Sequence, residues 1–381
     1  MATQYFWNRL ESFGEAIALE EGDRRVSYQE LVALSEKFAA RLPSTPQLVA
    51  LQACNRIEAV AAYLGCLRGG HPVILLNPES IADGRVLSGY QPDWLFSCQQ
   101  GEWRLERLNE NAPMAFADEL AVLLSTSGTT GAPKLVKLSR TNIHSNAEAI
   151  AAYLELSARE CAITTLNFFY SYGMAVLNSH LACGARIVLT DASVVTPEFW
   201  TLFKASAATS LAFVPYHFEL LERTNFLDQN LPSLRYITQA GGKLQAERLK
   251  RFAGLARQRQ WKFFVMYGQT EASPRMSYVP PEDLLDNLDS VGRPIPGGEM
   301  LILDEEGHQI TSPGRTGELV YRGPNVMLGY AETRADLARP RDTFELRTGD
   351  MAELQPGGYV RIVGRLKRFI KLYGLRINLD D

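Results

Sequence analysis

Apolar residues in the first part of the chain recur with two different spacings. A helix is predicted from Tyr28 to about Leu42, because an apolar residue stands at every third or fourth position: Leu31, Leu34, Phe38 and Leu42. Continuous apolar runs predict strands at Leu48–Leu51 and Pro72–Leu76, with a helix at Ile57–Leu67 between them. Such alternation is typical of a mostly parallel sheet covered by helices.

The alternation continues as far as about residue 289. Further strands are predicted at Leu135–Leu138, Ile163–Leu166, Arg186–Leu189, Ser210–Val214, Leu234–Thr238 and Lys262–Val265. Helices are predicted from Thr141 (as the N-cap) to Leu154, at Met174–Ala182 and Glu198–Ser206, and from Tyr216 and Gln245. The pattern therefore predicts an α/β protein with two parallel-sheet lobes within residues 1–289.

The pattern changes after about Ser290. Glycines and prolines recur every few residues among short strands predicted at Glu299–Leu303, Gly317–Arg322 and Tyr359–Val363. This texture indicates a small antiparallel sheet or a distorted β-barrel over residues 290–366.

Composition excludes several classes of protein. The chain has 381 residues, 46% hydrophobic and 22% charged, so it is expected to fold as a globular protein with more than one lobe. A net charge of −4 without a basic run argues against a nucleic-acid surface. Five scattered cysteines suggest neither a disulfide framework nor a zinc site. Without a signal peptide or an apolar run of about 18 residues, a soluble cytoplasmic protein with no membrane span is expected.

The stretch Leu123–Lys134 has the composition of a loop that binds a polyphosphate. Hydroxyl residues, glycines and one lysine follow an apolar run: Thr126, Ser127, Gly128, Thr129, Thr130, Gly131 and Lys134. Glycines let backbone N–H groups approach oxygens, hydroxyls donate hydrogen bonds and the lysine adds positive charge. It is not the common P-loop, because Pro133 precedes the lysine and a strand rather than a helix follows. A solvated turn is the alternative interpretation.

Polar residues also follow other predicted strands. The informative stretches are Ala240–Gly242, Val265–Ser273, Arg347–Asp350 and Gly364–Asn378. Ligands of α/β sheets bind beyond the carboxyl ends of the strands. Thr270 and Glu271 are therefore expected to face the same crevice as the first loop.

In this order the stretches resemble the adenylate-forming superfamily of acyl-CoA synthetases, peptide-synthetase adenylation domains and luciferases. The resemblance runs from Val26–Leu31 to Asn378, and its most specific motifs are Ser127–Lys134 and Tyr267–Glu271. It implies an AMP-forming ligase that joins a carboxylic acid to ATP, releases pyrophosphate and transfers the acyl group to a thiol.

The resemblance also implies residue roles. The β- and γ-phosphates would be held by Thr126, Ser127, Gly128, Thr129, Thr130, Gly131 and Lys134. The adenine would lie between the turn Gly241, Gly242 and Lys243 and the ring of Tyr267, with Gly268 and Gln269 in the same motif as Tyr267. The ribose would be bound by Asp350, with Ile362 and Arg365 beside it. Thr270 would bind the α-phosphate and Glu271 would ligate Mg²⁺, which makes both catalytic candidates. The chemistry agrees, because a carboxylate binds a diol or a hard cation.

Some of these residues have ordinary structural alternatives. Asp350 could cap a turn, Arg365 and Lys367 could lie in a solvated turn, and Tyr267 could be a core aromatic. Glu271 has the weakest alternative, since Arg275 is the only nearby residue that offers a salt bridge.

The stretch Leu166–Gly173 would floor the acid pocket, with Tyr170 at the position of the family's gate. It lacks an aspartate that could pair with an α-ammonium group, so a non-amino carboxylic acid is expected. The other pocket residues would be Tyr172, Gly173, Tyr216, Gln239 and Tyr278. Apolar walls with hydroxyl tips suit a small aliphatic, hydroxylated or aryl acid.

By the same comparison residues 1–366 would be the large N-terminal adenylation domain, and 367–381 the hinge and the start of a small mobile lid. Lys367 would be the hinge residue, with Lys371 and Gly374 beginning the lid segment. We expect this chain to lack the rest of the lid and to be impaired, because losing one donor to developing charge costs about 10²–10³ in rate. CoA and the phosphopantetheine of an acyl carrier protein are alternative acceptors. A nucleotide-binding module without turnover is the third possibility.

Overall fold

The computed structural model describes residues 4–110, 114–117, 119–125 and 134–366, together with the backbone of 369–372 and 375–378. Several predicted site residues lie outside the described residues: Thr126, Ser127, Gly128, Thr129, Thr130, Gly131, Lys367 and Gly374. The phosphate-binding and hinge roles of these residues therefore stay predictions.

The helices are α1 (Tyr28–Ala39), α2 (Ile57–Gly69), α3 (Pro78–Asp83), α4 (Arg85–Tyr90), α5 (Arg140–Leu154), α6 (Ser171–Ala182), α7 (Pro197–Ala205), α8 (Pro215–Glu222) and α9 (Ala246–Gln258). Helix α5 begins after Ser139, whose side chain accepts from the N–H of Asn142, while the Asn142 side chain accepts from the N–H of Ser139. The prediction that Thr141 is the N-cap was therefore wrong. This reciprocal pair satisfies two helix-terminal donors and starts the helix two residues earlier.

The strands in chain order are β1 (Ile17–Glu21), β2 (Arg24–Ser27), β3 (Val49–Gln52), β4 (Val73–Leu76), β5 (Trp94–Gln99), β6 (Glu102–Arg107), β7 (Leu120–Ser125), β8 (Leu135–Ser139), β9 (Cys161–Ile163), β10 (Arg186–Val188), β11 (Ser210–Phe213), β12 (Tyr236–Gln239), β13 (Lys262–Gly268), β14 (Arg275–Val279), β15 (Arg293–Pro294), β16 (Glu299–Leu303), β17 (Thr316–Arg322), β18 (Gly329–Ala331), β19 (Leu346–Leu354), β20 (Val360–Arg365), β21 (Phe369–Leu372) and β22 (Leu375–Asn378).

Two large sheets confirm the predicted α/β class. The nine-stranded sheet has the order β15-β14-β13-β12-β11-β9-β10-β1-β2, and its strands from β13 to β1 are parallel. The seven-stranded sheet has the order β18-β8-β7-β4-β3-β5-β6, with β7, β4, β3 and β5 parallel.

The antiparallel sheet predicted after residue 290 is also present. It has four strands in the order β16-β17-β19-β20, and within the described residues its first and last strands do not pair. It is thus an open sheet rather than a closed barrel. Strands β21 and β22 form a separate hairpin.

A continuous hydrophobic core joins the two large sheets. Helix α2 is buried along nearly its whole length, and its cluster includes Leu19 and Ile187 of one sheet and Leu51 and Val73 of the other. Burying apolar surface on both sides of the helix stabilises one arrangement of the sheets. Within the described residues, no helix combines the length and apolar character needed to cross a bilayer.

Candidate functional site

One edge of the nine-stranded sheet collects most of the predicted site residues. Strands β9, β11, β12 and β13 run parallel, so their carboxyl ends lie at the same edge. Tyr170 and Ser171 follow β9, Gly241 follows β12, and Gln269 and Thr270 follow β13. The crevice at this edge is therefore built by segments distant in the sequence.

The turn after β13 depends on Gly268. A Cβ atom at this residue would lie 1.9 Å from the carbonyl oxygen of Pro274, a distance that no side chain tolerates. The next residue, Gln269, donates its backbone N–H to that same oxygen at 3.0 Å. The close approach of two backbone segments requires glycine and fixes the direction in which Gln269 and Thr270 leave the strand.

Asp350 is the centre of a hydrogen-bonded group on β19. Its Oδ2 accepts from the Tyr267 hydroxyl at 2.5 Å and from Gln269 Nε2 at 3.1 Å. Its Oδ1 lies 2.7 Å from Nε of Arg365, which is its direct partner on β20. Three predicted nucleotide residues therefore converge on the carboxylate of a fourth.

Burial and charge act in opposite directions on this group. Asp350 is only 3% exposed, and burial raises its pKa, against the lowering effects of the Tyr267 hydrogen bond and the Arg365 charge. Burial also raises the pKa of Tyr267 well above its usual value, and the neighbouring carboxylate adds to this. Tyr267 therefore stays a neutral donor, with its ring orientation fixed by its hydroxyl.

Glu271 and Lys134 meet through Tyr330. The Tyr330 hydroxyl donates to Glu271 Oε1 at 2.8 Å, and Lys134 Nζ lies 4.0 Å from the centre of the Tyr330 ring. Tyr330 lies on β18, which pairs with β8 directly after Lys134. The lysine that ends the predicted phosphate loop is thereby held beside the predicted magnesium ligand.

A magnesium ion would fit Glu271 only together with other oxygen donors. In the part of the chain that the structure describes, no group of three or more His, Cys, Asp or Glu side chains could hold a metal. Mg²⁺ in nucleotide sites is commonly bound by one or two carboxylates and by substrate phosphates. Only one oxygen of Glu271 is engaged by Tyr330, so the carboxylate has acceptor capacity left for such an ion.

The predicted acid gate lies beside the nucleotide residues. Ser171 Oγ is 3.3 Å from Thr270 Oγ1, which links the start of α6 to the turn after β13. Gly241 has φ +82° and lies so close to Tyr170 that a Cβ would be 2.7 Å from the tyrosine hydroxyl. Gln239 Nε2 donates to the carbonyl of Gly242 at 2.8 Å and holds this turn. The predicted gate residue, the turn predicted to lie beside the adenine and Thr270 thus border one crevice.

Other predicted residues lie elsewhere. Tyr172 is buried in a hydrophobic cluster, with its hydroxyl 2.7 Å from Thr238 Oγ1. Tyr278 stacks on Tyr153 with ring centres 4.2 Å apart. Tyr216 is 61% exposed, and Lys243 is also exposed. Two further residues have structural contacts: Gly173, where a Cβ would lie 2.3 Å from the carbonyl oxygen of Asn167, and Ile362, which packs against the same hydrophobic cluster as Tyr267.

Three residues of this region were not assigned a role from the sequence. Ser171 is next to Tyr170, so the motif itself could have indicated it. Tyr330 has no local signal, because only the pairing of β18 with β8 brings it to the site. Arg275 does not pair with Glu271, the partner that the sequence offered, and its side chain is buried.

The chain matches a family model described as AMP-binding enzyme over residues 6–87 and 86–331. It is 34% identical to the oxalate–CoA ligase of Arabidopsis thaliana over 68% of this chain and 51% of that protein. It is 30% identical to the indoleacetate–CoA ligase of Aromatoleum aromaticum over 93% of this chain and 76% of the relative. The chain therefore spans about half of the first relative and three quarters of the second.

Solved structures resemble this fold over almost its whole length. The o-succinylbenzoate CoA synthetase of Bacillus subtilis, in complex with the acyl-adenylate intermediate OSB-AMP, gives a TM-score of 0.82 at 25% identity. That match covers 98% of this chain and 81% of the other. VinN gives a TM-score of 0.78 at 26% identity, covering 95% of this chain and all of VinN, and is also solved with L-aspartate at 25% identity.

Proposed function

Because the chain belongs to the AMP-binding enzyme family, we propose that it is the core of an acid–thiol ligase that activates a non-amino carboxylic acid with ATP. The products of the first step are an acyl-adenylate and pyrophosphate. In the second step the acyl group passes to the thiol of CoA, the acceptor named for both relatives described above.

The observation that carries this proposal is the convergence on Asp350. A carboxylate ordered by Tyr267, Gln269 and Arg365 stands beside an aromatic ring, as a site for an adenosine requires. A carboxylate can accept from both hydroxyls of a ribose, and the Tyr267 face is a surface for the base. A structural capping role for Asp350 alone would not need partners from two sheets.

The remaining residues would act on the phosphates and the acid. Thr270 has a hydroxyl at the mouth of the crevice to donate to an α-phosphate oxygen. Glu271 would hold Mg²⁺, which screens phosphate charge when bound, and Lys134 would add positive charge near the same oxygens. These groups are held before substrate arrives, so little reorganisation is needed during reaction.

The named acids of the relatives do not determine the acid for this chain. They include oxalate and indoleacetate, and 2-succinylbenzoate for a Bacillus subtilis ligase that is 26% identical. The absence of an aspartate in Leu166–Gly173 supports an acid without an α-ammonium group.

The test is calorimetric titration of the chain with AMP, ATP–Mg²⁺ and non-hydrolysable acyl-sulfamoyl adenosine analogues. At least one acyl analogue is expected to bind tightly, with a much higher affinity than AMP. Pyrophosphate exchange with the acid of the best analogue then measures the first half-reaction. If neither AMP nor any analogue binds, the proposal is wrong.

A further inference from the structure

Arg275 is a buried cation without a carboxylate partner. Arg275 is only 2% exposed. In the described part of the chain, no Asp or Glu oxygen lies within 4.0 Å of its guanidinium. Its Nε–H finds no hydrogen-bond acceptor there either. Other well-covered arginines differ, since Arg334 pairs with Asp93 at 2.8 Å and Arg68 pairs with Glu11 at 2.6 Å.

The backbone of Arg275 is held in place by several contacts. Asn146 Nδ2 donates to its carbonyl oxygen at 3.0 Å, and Asn325 Nδ2 donates to the same oxygen at 2.8 Å. Arg275 also lies opposite Gly268 in the pairing of β14 with β13, at the end of β13 that opens into the crevice. The direction in which its side chain leaves the strand is therefore fixed.

Arg275 borders a small, mostly apolar cavity that also contains a few polar side chains. The cavity has a volume of about 20 Å³ and is lined by, among others, Arg275, Tyr172, Thr238, His180, Tyr236 and Met266. This is room for one water-sized group. Arg275 Cζ lies 4.9 Å from the centre of the Tyr172 ring, and that ring is 6.5 Å from the ring of Tyr170. Tyr172 thus contacts both the gate and the buried cation.

None of the titratable neighbours supplies the missing negative charge. Burial raises the pKa of Tyr153 to about 12 and also raises that of Tyr172, so both phenols are neutral near pH 7, although the Arg275 charge opposes the shift. Burial lowers the pKa of His180 to about 4, so this side chain is neutral as well. A buried cation without a countercharge is unfavourable, and an anion brought by a ligand would relieve that cost.

We propose that the acid pocket takes a short dicarboxylic acid whose distal carboxylate pairs with Arg275. This inference rests on the proposed acid activation. A carboxylate oxygen is a strong acceptor for the Nε–H that lacks one, and Tyr172 and Thr238 line the same cavity. The cavity has room for one carboxylate oxygen and not for a long alkyl chain.

The test compares acyl-sulfamoyl adenosine analogues that differ only at the distal end: succinyl against butyryl, and glutaryl against pentanoyl. Calorimetric dissociation constants are measured for wild type, Arg275→Met and Arg275→Lys, with AMP as the reference ligand. Arg293→Met is the matched control, because Arg293 lies 5.7 Å from the Tyr278 ring on the exposed side of the sheet.

At one of the two chain lengths, wild type and Arg293→Met are expected to bind the analogue with the distal carboxylate about ten- to hundredfold more tightly than its alkyl counterpart. This is the range for hydrogen bonds to charged groups. Arg275→Met should lose that preference while AMP affinity is unchanged, and Arg275→Lys should keep part of it. If wild type binds AMP but shows no preference at either chain length, the inference is overturned and the proposed function stands. An unchanged preference in Arg275→Met overturns it equally. Failure of wild type to bind AMP and every analogue overturns both.

Discussion

The hydroxyl of Tyr267 donates to Oδ2 of Asp350 at 2.5 Å and so joins the C-terminal end of β13 to the middle of β19. The two residues belong to different sheets. Because Asp350 Oδ1 also lies 2.7 Å from Arg365 Nε, the carboxylate is ordered from both sides. The proposed nucleoside site is therefore assembled only when the small antiparallel sheet is docked on the large one.

Replacing Asp350 tests this arrangement. Asp350→Asn keeps the shape but removes the charge that Tyr267, Gln269 and Arg365 share, so AMP affinity should fall by about tenfold or more. Asp289→Asn is the control, because Asp289 also pairs with an arginine, Arg361, at 3.1 Å but lies on the surface. Calorimetric titration with AMP measures both. Equal affinities for the two variants would contradict the assignment.

Replacing Glu271 separates metal binding from nucleoside binding. Glu271→Gln still accepts from the Tyr330 hydroxyl but no longer offers a negative charge to Mg²⁺. We expect weaker binding of ATP in the presence of Mg²⁺ and unchanged binding of AMP without the metal. Glu332→Gln is the control, since Glu332 lies 3.6 Å from Lys134 and is exposed. A loss of AMP affinity in Glu271→Gln would instead indicate a structural role for the carboxylate.

Local sequence signals predicted most of the fold and the turns that carry the site. Gly268 to Glu271 could be recognised because the turn after β13 needs a glycine and exposes polar residues directly after a buried strand. Helix periodicity predicted α1 and α2 closely, as tertiary packing reinforces the same apolar faces. The start of α5 was misplaced, since Ser139 and Thr141 are both good caps and only the Asn142 side chain decides between them.

Contacts across the sequence could not be predicted. Strand β1 pairs with β10, so Leu19 lies opposite Ile187, and no local pattern assigns the N-terminal hairpin to the nine-stranded sheet. Tyr330 reaches Glu271 through a similar long-range pairing. The position of Arg275 could not be predicted either. Its proximity to Glu271 in the sequence suggested a salt bridge, whereas the pairing of β14 with β13 places the Arg275 side chain in the interior.

The gate can be tested through the glycine beside it. Gly241→Ala introduces a Cβ that would lie 2.7 Å from the Tyr170 hydroxyl at φ +82°, whereas Gly314 has φ +80° and open space around it. Both substitutions should cost about 1 kcal/mol of stability from backbone strain. Only Gly241→Ala should also displace Tyr170 and change the affinity for acyl-adenylate analogues. Adding Tyr170→Phe removes the clashing oxygen and should restore that affinity, which a purely backbone effect would not allow.

The buried His180 makes stability depend on pH in a predictable direction. Its Nδ1–H donates to the Val176 carbonyl and its Nε2 accepts from the Tyr236 hydroxyl, each at 2.8 Å, so the neutral ring is fully satisfied. Burial lowers its pKa from 6.5 to about 4, which means that the unfolded chain binds the proton more readily than the folded protein. This term is absent above pH 6.5 and destabilises the fold as the pH falls from 6.5 towards 4.

The expected size of the His180 term is about 2 kcal/mol in the free energy of unfolding between pH 7.5 and pH 5. Chemical denaturation of wild type and His180→Gln at the two pH values measures this term. Because glutamine does not titrate, the free energy of unfolding of His180→Gln should fall by about 2 kcal/mol less than that of wild type. His308→Gln serves as the control, as His308 is 80% exposed and its removal should leave the pH dependence of wild type. Burial also lowers the pKa of His71, His144 and His217, so some dependence persists in every variant and only the difference between variants reports on His180. Identical losses of unfolding free energy in wild type and His180→Gln would show that the His180 ring is protonated in the folded protein at pH 5. The cavity beside Arg275 would then hold a second positive charge at that pH.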